Sequence, residues 1–206
     1  MVICHGLGGS KDYPTIKKLA EALWERGFSV FRFDFSGIGE SDGPFIFHLD
    51  CQVRGVGAVL NHFRAYKKII LIGGSLGALS ATLATIRYPN VSALVTINGF
   101  FGSHSLDVHH KVLYYTWRLL AGILPSFQQD KLLITKGFQP ENIPVPVLVI
   151  CTKRDHVVDY HQSFDFYNQL KTKKKLEILP LEKHNLKGPS DVIRVANAIA
   201  DVKYCN

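Results

Sequence analysis

The segment Gly73-Gly74-Ser75-Leu76-Gly77 constrains the fold more than any other part of this chain. It follows an apolar, strand-like run (68–72) and precedes a helix-like run of small residues (78–84). A G-x-S-x-G segment in this context is typical of a nucleophile elbow, a turn that holds a serine hydroxyl beyond the end of a sheet. The outer glycines are expected because the neighbouring backbone leaves no room for a Cβ. The segment therefore predicts a strained turn at Ser75 and acyl-transfer chemistry, most often ester hydrolysis.

Strand-like and helix-like stretches alternate along the whole chain. Short, almost entirely apolar runs predict strands buried on both faces at Val2–His5, Phe28–Asp34, Lys68–Gly73, Ala93–Asn98, Val145–Thr152 and Lys175–Pro180. Amphipathic runs predict helices at Tyr13–Arg26, Asp50–Tyr66, Ser75–Pro89, Tyr160–Leu170 and Pro189–Asp201. This alternation predicts a doubly wound α/β fold with a mostly parallel sheet and helices on both faces. With 206 residues, we expect a single domain over 1–206.

One region breaks this alternation. The segment between Asn98 and Val145 is longer than a crossover connection requires, and its stretch Val108–Leu124 is rich in aromatic and aliphatic residues. Because the segment follows a strand end that should border the functional site, we predict that Gly102–Ile143 forms a small helical lid. An ordinary helix packed on the sheet is the alternative.

A serine hydroxyl is a weak nucleophile at neutral pH, so it needs a nearby base and an acid that orients the base. In open parallel sheets, ligands bind beyond the carboxyl ends of the strands, and these partners should therefore follow strands. Asp155 comes just after the apolar run Val145–Ile150, and we predict that it is the acid. Asp107 is a rival within the predicted lid, whereas Asp34 precedes the serine and is expected to organise a loop.

His184 is the predicted base, because it follows the last strand and completes the chain order serine, acid, histidine. Two backbone N–H groups are also needed to bind the negative oxygen of a tetrahedral intermediate. Leu76, directly after the serine, should supply one of them. The glycine-rich loop His5-Gly6-Leu7-Gly8-Gly9-Ser10 should supply the other, and we predict that its donor is Leu7.

Together these motifs make the chain resemble the α/β-hydrolase superfamily. The likeness runs from His5-Gly6 through Arg32–Gly37 (RFDFSG) and Glu40–Gly43 (ESDG) to Gly73–Gly77, Asp155 and His184. The segment after Arg32 looks most like the small esterase branch that includes feruloyl and cinnamoyl esterases. Serine-aminopeptidase-like and monoacylglycerol-lipase-like hydrolases are close neighbours. The resemblance implies a catalytic triad of Ser75, Asp155 and His184, with an oxyanion hole formed by Leu7 and Leu76.

The chain departs from that superfamily at its start. Members usually have an extra strand or hairpin before the His-Gly strand, whereas here that strand begins at Val2. The resemblance therefore implies either a minimal version of the fold or a chain without its first strands. Those strands would extend one edge of the sheet, away from the predicted site. An uncovered edge invites association, so a homodimer is a further expectation.

The predicted activity is that of a serine esterase that uses an acyl-enzyme intermediate and needs no cofactor. An apolar acyl or aryl pocket is suggested by Phe100, Phe101, Tyr115 and Trp117, although core packing explains such side chains equally well. Small-molecule esters with short or medium acyl groups, or hydroxycinnamate esters, are the expected substrates. Peptide, lipid and thioester substrates stay open. The alternatives are an acyltransferase with the same triad and a ligand-binding protein that kept the fold.

Composition argues against several other classes. The four cysteines are scattered, and His104, His109 and His110 have no carboxylate at ligand spacing, so no metal site is expected. The net charge of +7 comes without a nucleic-acid signature. The basic run Lys171–Lys175 predicts a solvated connection, with contact to an anionic surface as the alternative. Since the chain shows neither a membrane-spanning run nor a signal-peptide pattern, we expect a cytoplasmic protein without stable membrane insertion.

Overall fold

The computed structural model describes residues 1–43, 49–101, 138–180, 184, 186 and 188–201. Its strands are β1 (Val2–Cys4), β2 (Phe31–Arg32), β3 (Ile70–Gly74), β4 (Ala93–Ile97), β5 (Val147–Thr152) and β6 (Lys174–Leu179). Its helices are α1 (Pro14–Trp24), α2 (Leu49–His62), α3 (Leu76–Arg87), α4 (Tyr160–Gln169) and α5 (Pro189–Asp201). A short 3-10 helix spans Pro140–Asn142. No helix within these described ranges combines the length and apolar character that crossing a bilayer requires.

The strands form one sheet in the order β2-β1-β3-β4-β5-β6, and every neighbouring pair is parallel. Ile72 of β3 pairs with Ile3 of β1 on one side and with Val95 of β4 on the other. The chain first moves outward from β1 to β2 and then returns past β1 to β3. This reversal creates a topological switch point at the carboxyl ends of β1 and β3, where ligands bind in open α/β sheets. The predicted doubly wound parallel fold is confirmed.

Successive residues of the central strands pack on opposite faces of the sheet. Leu71 and Leu94 lie in the apolar core on the side of α2, α3 and α4. Ile72 and Val95 lie in the core on the side of α1 and α5. All four side chains are inaccessible to solvent. Burial on both faces explains why these strands are continuously apolar in the sequence.

Strand β2 is much shorter than the predicted Phe28–Asp34. Its ladder follows Val2 and Ile3 of β1 and ends with Arg32. Beyond that point the Phe35 N–H donates to the Nε2 atom of the buried His5 ring (3.3 Å) instead of to a neighbouring strand. A tertiary hydrogen bond therefore takes the place of a ladder bond at Phe35, although the apolar pattern continues.

The predicted lid falls largely outside the described residues. Tyr115, Trp117, Asp107 and the histidines at 104, 109 and 110 all belong to the undescribed range 102–137. Residues 138–143 are described, and they pack onto the domain. The Phe138 ring stacks on the Phe101 ring at 5.6 Å between centroids, and Ile143 is buried.

Candidate active site

Ser75 lies on a strained turn between β3 and α3. Its φ of 53° and ψ of −124° are unfavourable for a residue with a Cβ, and such strain costs about 1–3 kcal/mol. The turn is held by the backbone. The Ser75 N–H donates to the Ile97 carbonyl (2.9 Å), and the Ser75 carbonyl accepts from Ala78 (3.0 Å) and Phe100 (3.1 Å). The strained turn predicted from the sequence is confirmed.

The glycines of the elbow are required by close backbone contacts. A Cβ on Gly73 would lie 2.5 Å from the Cα of Ala78, and a Cβ on Gly77 would lie 2.5 Å from the His5 carbonyl oxygen. By contrast, a Cβ on Gly74 would have 4.0 Å of space to its nearest neighbour. The predicted reason for the two outer glycines is confirmed, and the middle position is free of that constraint.

The loop after β1 lies against the serine. A Cβ added to Gly6 would come within 3.0 Å of the Ser75 Cβ. The loop then closes in a turn in which the Gly9 N–H donates to the Gly6 carbonyl (3.1 Å) and Gly8 has a φ of 67°. Leu7 sits within this turn, and its side chain is 45% exposed. The turn thus brings the backbone of Leu7 to the same end of the sheet as Ser75.

Leu76 occupies the other side of the serine as the first residue of α3. Its N–H is one of those at a helix N-terminus that have no acceptor within the helix. The positive end of the helix dipole adds to the attraction of this N–H for an anion. Leu7 and Leu76 accordingly remain the candidate oxyanion donors.

His5, which the sequence marked only as part of the glycine-rich loop, joins two loops beside the serine. The Phe35 N–H donates to its Nε2, so its Nδ1 carries the proton and donates to the Gly6 carbonyl (2.8 Å). Burial lowers the pKa of His5 and favours this neutral form, against the opposing effects of the Gly6 carbonyl and Asp34. His5 is therefore a neutral structural link behind the Gly6 turn.

Asp34 organises the adjacent loops, as the sequence predicted. Its carboxylate accepts from the backbone N–H groups of Lys11 (2.6 Å) and Glu40 (3.1 Å), and the Lys11 ammonium lies 3.4 Å away. Burial by itself would raise the pKa of Asp34, but these hydrogen bonds and the Lys11 charge hold that pKa below its ordinary value. The ionised carboxylate stabilises the start of the segment that follows the Leu7 turn.

Asp155 and His184 form a close pair although 29 residues separate them in the chain. Asp155 Oδ2 lies 2.6 Å from His184 Nδ1, and the two side chains are 1% and 12% exposed. The other oxygen of Asp155, Oδ1, accepts from the N–H groups of Val157 (2.7 Å) and Val158 (3.0 Å). Because a carboxylate accepts at Nδ1, the proton of a neutral His184 resides on Nδ1 and leaves Nε2 free to act as a base.

Asn98 is a site residue that sequence reasoning missed. It follows β4, is buried, and has a φ of 46°, in the left-handed region. Its side-chain Nδ2 donates to the His184 carbonyl (2.9 Å). Asparagine tolerates this conformation better than most residues, so an asparagine directly after a strand was the available signal.

The predicted substrate-binding aromatics have different surroundings. Phe100 is half-buried, and its N–H binds the Ser75 carbonyl, which places it beside the elbow. Phe101 stacks on Phe166 at 4.1 Å between ring centroids and belongs to the apolar core. Contact of either residue with substrate stays a prediction, and Tyr115 and Trp117 lie outside the described residues.

The basic run contributes to helix capping. Lys174 Nζ donates to the carbonyls of Tyr167 and Leu170 (both 2.9 Å) at the end of α4 and lies 4.6 Å from the centre of the Tyr167 ring. A cation at this end of a helix is favoured by the helix dipole.

In the described ranges, no three histidine, cysteine or acidic side chains come together as metal ligands would.

Similar proteins place the chain among known folds. A family model described as alpha/beta hydrolase fold matches residues 1–113. The protein YfhR of Escherichia coli O157:H7 is 26% identical over 192 residues, which cover 88% of this chain and 62% of YfhR. The YfhR of strain K12 is 25% identical over the same coverage. The chain thus spans less than two thirds of the length of these relatives.

Solved structures share the architecture at low sequence identity. Alpha/beta hydrolase domain-containing protein 10 from mouse superposes with a TM-score of 0.79 at 20% identity, covering 98% of this chain and 88% of that one. Est1E from Butyrivibrio proteoclasticus, with ferulic acid bound, gives 0.76 at 22% identity, with coverages of 98% and 86%. The monoacylglycerol lipase of Paleococcus ferrophilus gives 0.77 at 20% identity, with 98% and 92%. Because the family model matches more than half of the residues, this chain belongs to the alpha/beta hydrolase fold family.

Proposed function

We propose that this protein is a serine hydrolase that cleaves carboxylic esters through an acyl-enzyme intermediate on Ser75. The observation that carries the proposal is the partly buried Asp155–His184 pair at 2.6 Å. The strained turn at Ser75, at the same end of the sheet, supports it. Membership in the alpha/beta hydrolase fold family supports hydrolysis as the general reaction class. A fold hosts many activities, so the argument rests on the site.

In the acylation step, His184 Nε2 accepts the Ser75 hydroxyl proton while Oγ attacks the carbonyl carbon of the ester. The carbonyl oxygen becomes negatively charged, and the N–H groups of Leu7 and Leu76 stabilise it. The C–O bond to the alcohol then breaks. The His184 imidazolium donates its proton to the leaving oxygen, so the alcohol departs neutral and Ser75 carries the acyl group.

In the deacylation step, neutral His184 takes a proton from water, and the resulting hydroxide attacks the acyl carbon. The second tetrahedral intermediate collapses, Ser75 Oγ recovers the proton from His184, and a carboxylic acid is released. Asp155 does not take up the proton in this mechanism. Its Oδ1 accepts two backbone hydrogen bonds, from Val157 and Val158, which hold the carboxylate in place. Its role is to fix the His184 tautomer and to stabilise the imidazolium.

For the substrate, we propose esters with an apolar acyl or aryl group of short or medium length. Apolar side chains are exposed on the two loops that carry the proposed machinery, with Leu7 at 45% and Val157 at 48%. Phe100 lies beside the elbow. These apolar surfaces suit a substrate with an apolar group better than a charged one. Since the related Est1E structure holds ferulic acid, hydroxycinnamate esters belong in the test panel.

The experiment that tests the function combines a fluorophosphonate label with hydrolysis of a p-nitrophenyl ester. We expect peptide mapping to find the label on Ser75, and Ser75→Ala to lose both labelling and nearly all turnover. The matched control is Ser190→Ala, which changes an exposed serine and should behave like the wild type. Full turnover by Ser75→Ala would place the nucleophile elsewhere. A folded wild type that takes no label would favour the ligand-binding alternative.

A second assay separates a hydrolase from an acyltransferase. The ester is offered together with an alcohol or an amine, and the products are quantified. We expect the free carboxylic acid to dominate. Predominant transfer to the added nucleophile would instead assign the acyl-enzyme to synthesis of a new ester or amide.

A further inference from the structure

Asn98 is a buried polar residue for which the mechanism above has no role. It is 3% exposed, and its backbone adopts a left-handed conformation with a φ of 46°. Among the described residues, its side chain bonds to His184, the proposed base, and to Thr152, the last residue of β5 before the loop of the proposed acid. Nδ2 donates to the His184 carbonyl (2.9 Å), while Oδ1 accepts from the N–H (2.9 Å) and the hydroxyl (3.2 Å) of Thr152.

The backbone around Asn98 connects this amide to the serine and to the acid. The carbonyl of Ile97, one residue earlier, accepts the Ser75 N–H at 2.9 Å. The Thr152 carbonyl accepts the Asp155 N–H at 3.3 Å, in the turn that leads to the acid. The carboxyl end of β4 is therefore hydrogen-bonded directly to the Ser75 turn and to His184. Its connection to Asp155 passes through one intermediate residue, Thr152.

We propose that Asn98 is a positioning residue that holds the backbone of His184 at a fixed distance from Ser75 and in register with Asp155. Asparagine suits this position because its planar amide carries a donor and an acceptor on opposite sides, and because it tolerates the left-handed backbone. The inference rests on the proposed function. It predicts that substitution of Asn98 lowers the rate of catalysis by more than the loss of fold stability explains.

The decisive variant is Asn98→Asp, which has the same shape. It keeps an acceptor for Thr152 but replaces the donor that faces the His184 carbonyl by an oxygen. We expect kcat to fall roughly 10- to 100-fold, since a displacement of about 1 Å costs about that much. KM should change by less than about threefold, because Asn98 is buried and has no proposed contact with the substrate. The rate of fluorophosphonate labelling should fall with kcat.

The matched control is Asn90→Asp. Asn90 also donates its Nδ2 to a backbone carbonyl, that of Leu60 at 3.0 Å, but it precedes β4 and therefore lies at the opposite end of that strand from Asn98. The same chemical change should leave kcat unaltered there. Should Asn98→Asp not fold, Asn98→Gly carries the test. It keeps the left-handed backbone without strain, lacks the amide, and should lose kcat to a similar extent.

A spectroscopic readout separates failure of this inference from failure of the proposed function. The His184 Nδ1 proton in its short bond to Asp155 should give a low-field proton NMR signal in the wild type. We expect that signal to shift or broaden in Asn98→Asp and to stay unchanged in Asn90→Asp. A folded Asn98→Asp with wild-type kcat, labelling rate and signal overturns the positioning role. If the wild type itself takes no label, the proposed function fails, and the signal alone decides the role of Asn98.

Discussion

Replacing Gly77 by alanine should push helix α3 away from strand β1 and disable the site. The new Cβ would lie 2.5 Å from the His5 carbonyl oxygen and closer still to that of Cys4. Contacts below 3.0 Å are essentially never seen for real Cβ atoms, so a shift of at least about 0.5 Å is required. Both obstacles are backbone atoms at the carboxyl end of a central strand. The helix must therefore move, because no flexible side chain is available to yield.

Two opposing effects set the change in stability that Gly77→Ala causes. Overpacking a buried contact costs about 1–3 kcal/mol. Exchanging glycine for alanine inside a helix stabilises the helix by up to about 1 kcal/mol. We therefore expect a net loss of about 1–2 kcal/mol in the free energy of unfolding. Because the shift separates the N–H of Leu76 from that of Leu7, we also expect kcat to fall roughly 10- to 100-fold.

Urea denaturation and p-nitrophenyl ester hydrolysis measure the two effects. The matched control is Gly74→Ala in the same elbow, where the added Cβ has 4.0 Å of space. Its stability should stay within about 0.5 kcal/mol of the wild type. A Gly77→Ala protein with wild-type stability and kcat would refute the reasoning, as would a Gly74→Ala protein that is destabilised to the same extent.

Two further predictions concern charged groups. Asp155→Asn should lower kcat roughly 10³- to 10⁴-fold, because an amide no longer fixes the tautomer of His184 or stabilises its imidazolium. Steady-state kinetics measure this, and Asp159→Asn, which alters the nearby cap of α4, is the control that should keep wild-type kcat. Asp34 has a pKa below its unfolded value of about 3.9, so its stabilisation is present above that pH and is lost as pH falls through the folded-state pKa. As the pH is lowered, the thermal stability of Asp34→Asn should fall less steeply than that of the wild type. An equally steep fall in both proteins would contradict this role.

Most of the fold could be predicted because each element leaves a local pattern. Buried parallel strands require continuous apolar runs, and all six predicted strands are present. The helix after the elbow ends at Arg87, close to the predicted Pro89, because Pro89 disfavours a helical conformation at Tyr88. β2 is shorter than its apolar pattern predicts, and beyond it Phe35 bonds to His5, which is distant in the sequence and leaves no local signal.

The site could be predicted only where chain order or a motif encodes it. The order of strands brings Asp155 and His184 to the same end of the sheet, and the elbow glycines encode the turn at Ser75. For Asn98 the only signal was its place directly after a strand. Its hydrogen-bond partners could not be predicted, because they are 54 and 86 residues away and no local pattern marks them. The burial of Phe101 likewise depends on Phe166, which is brought to it by another helix.

In the Leu7 turn, the proposed oxyanion donor and the exposed side chain are different parts of the same residue. The proposed donor is a main-chain amide whose direction is set by the closure between Gly6 and Gly9, whereas the side chain of Leu7 projects partly into solvent. If the proposed function holds, libraries randomised at this position would vary an exposed side chain next to the proposed site while the amide keeps its orientation. Such libraries offer a way to redirect substrate preference without rebuilding the machinery beneath.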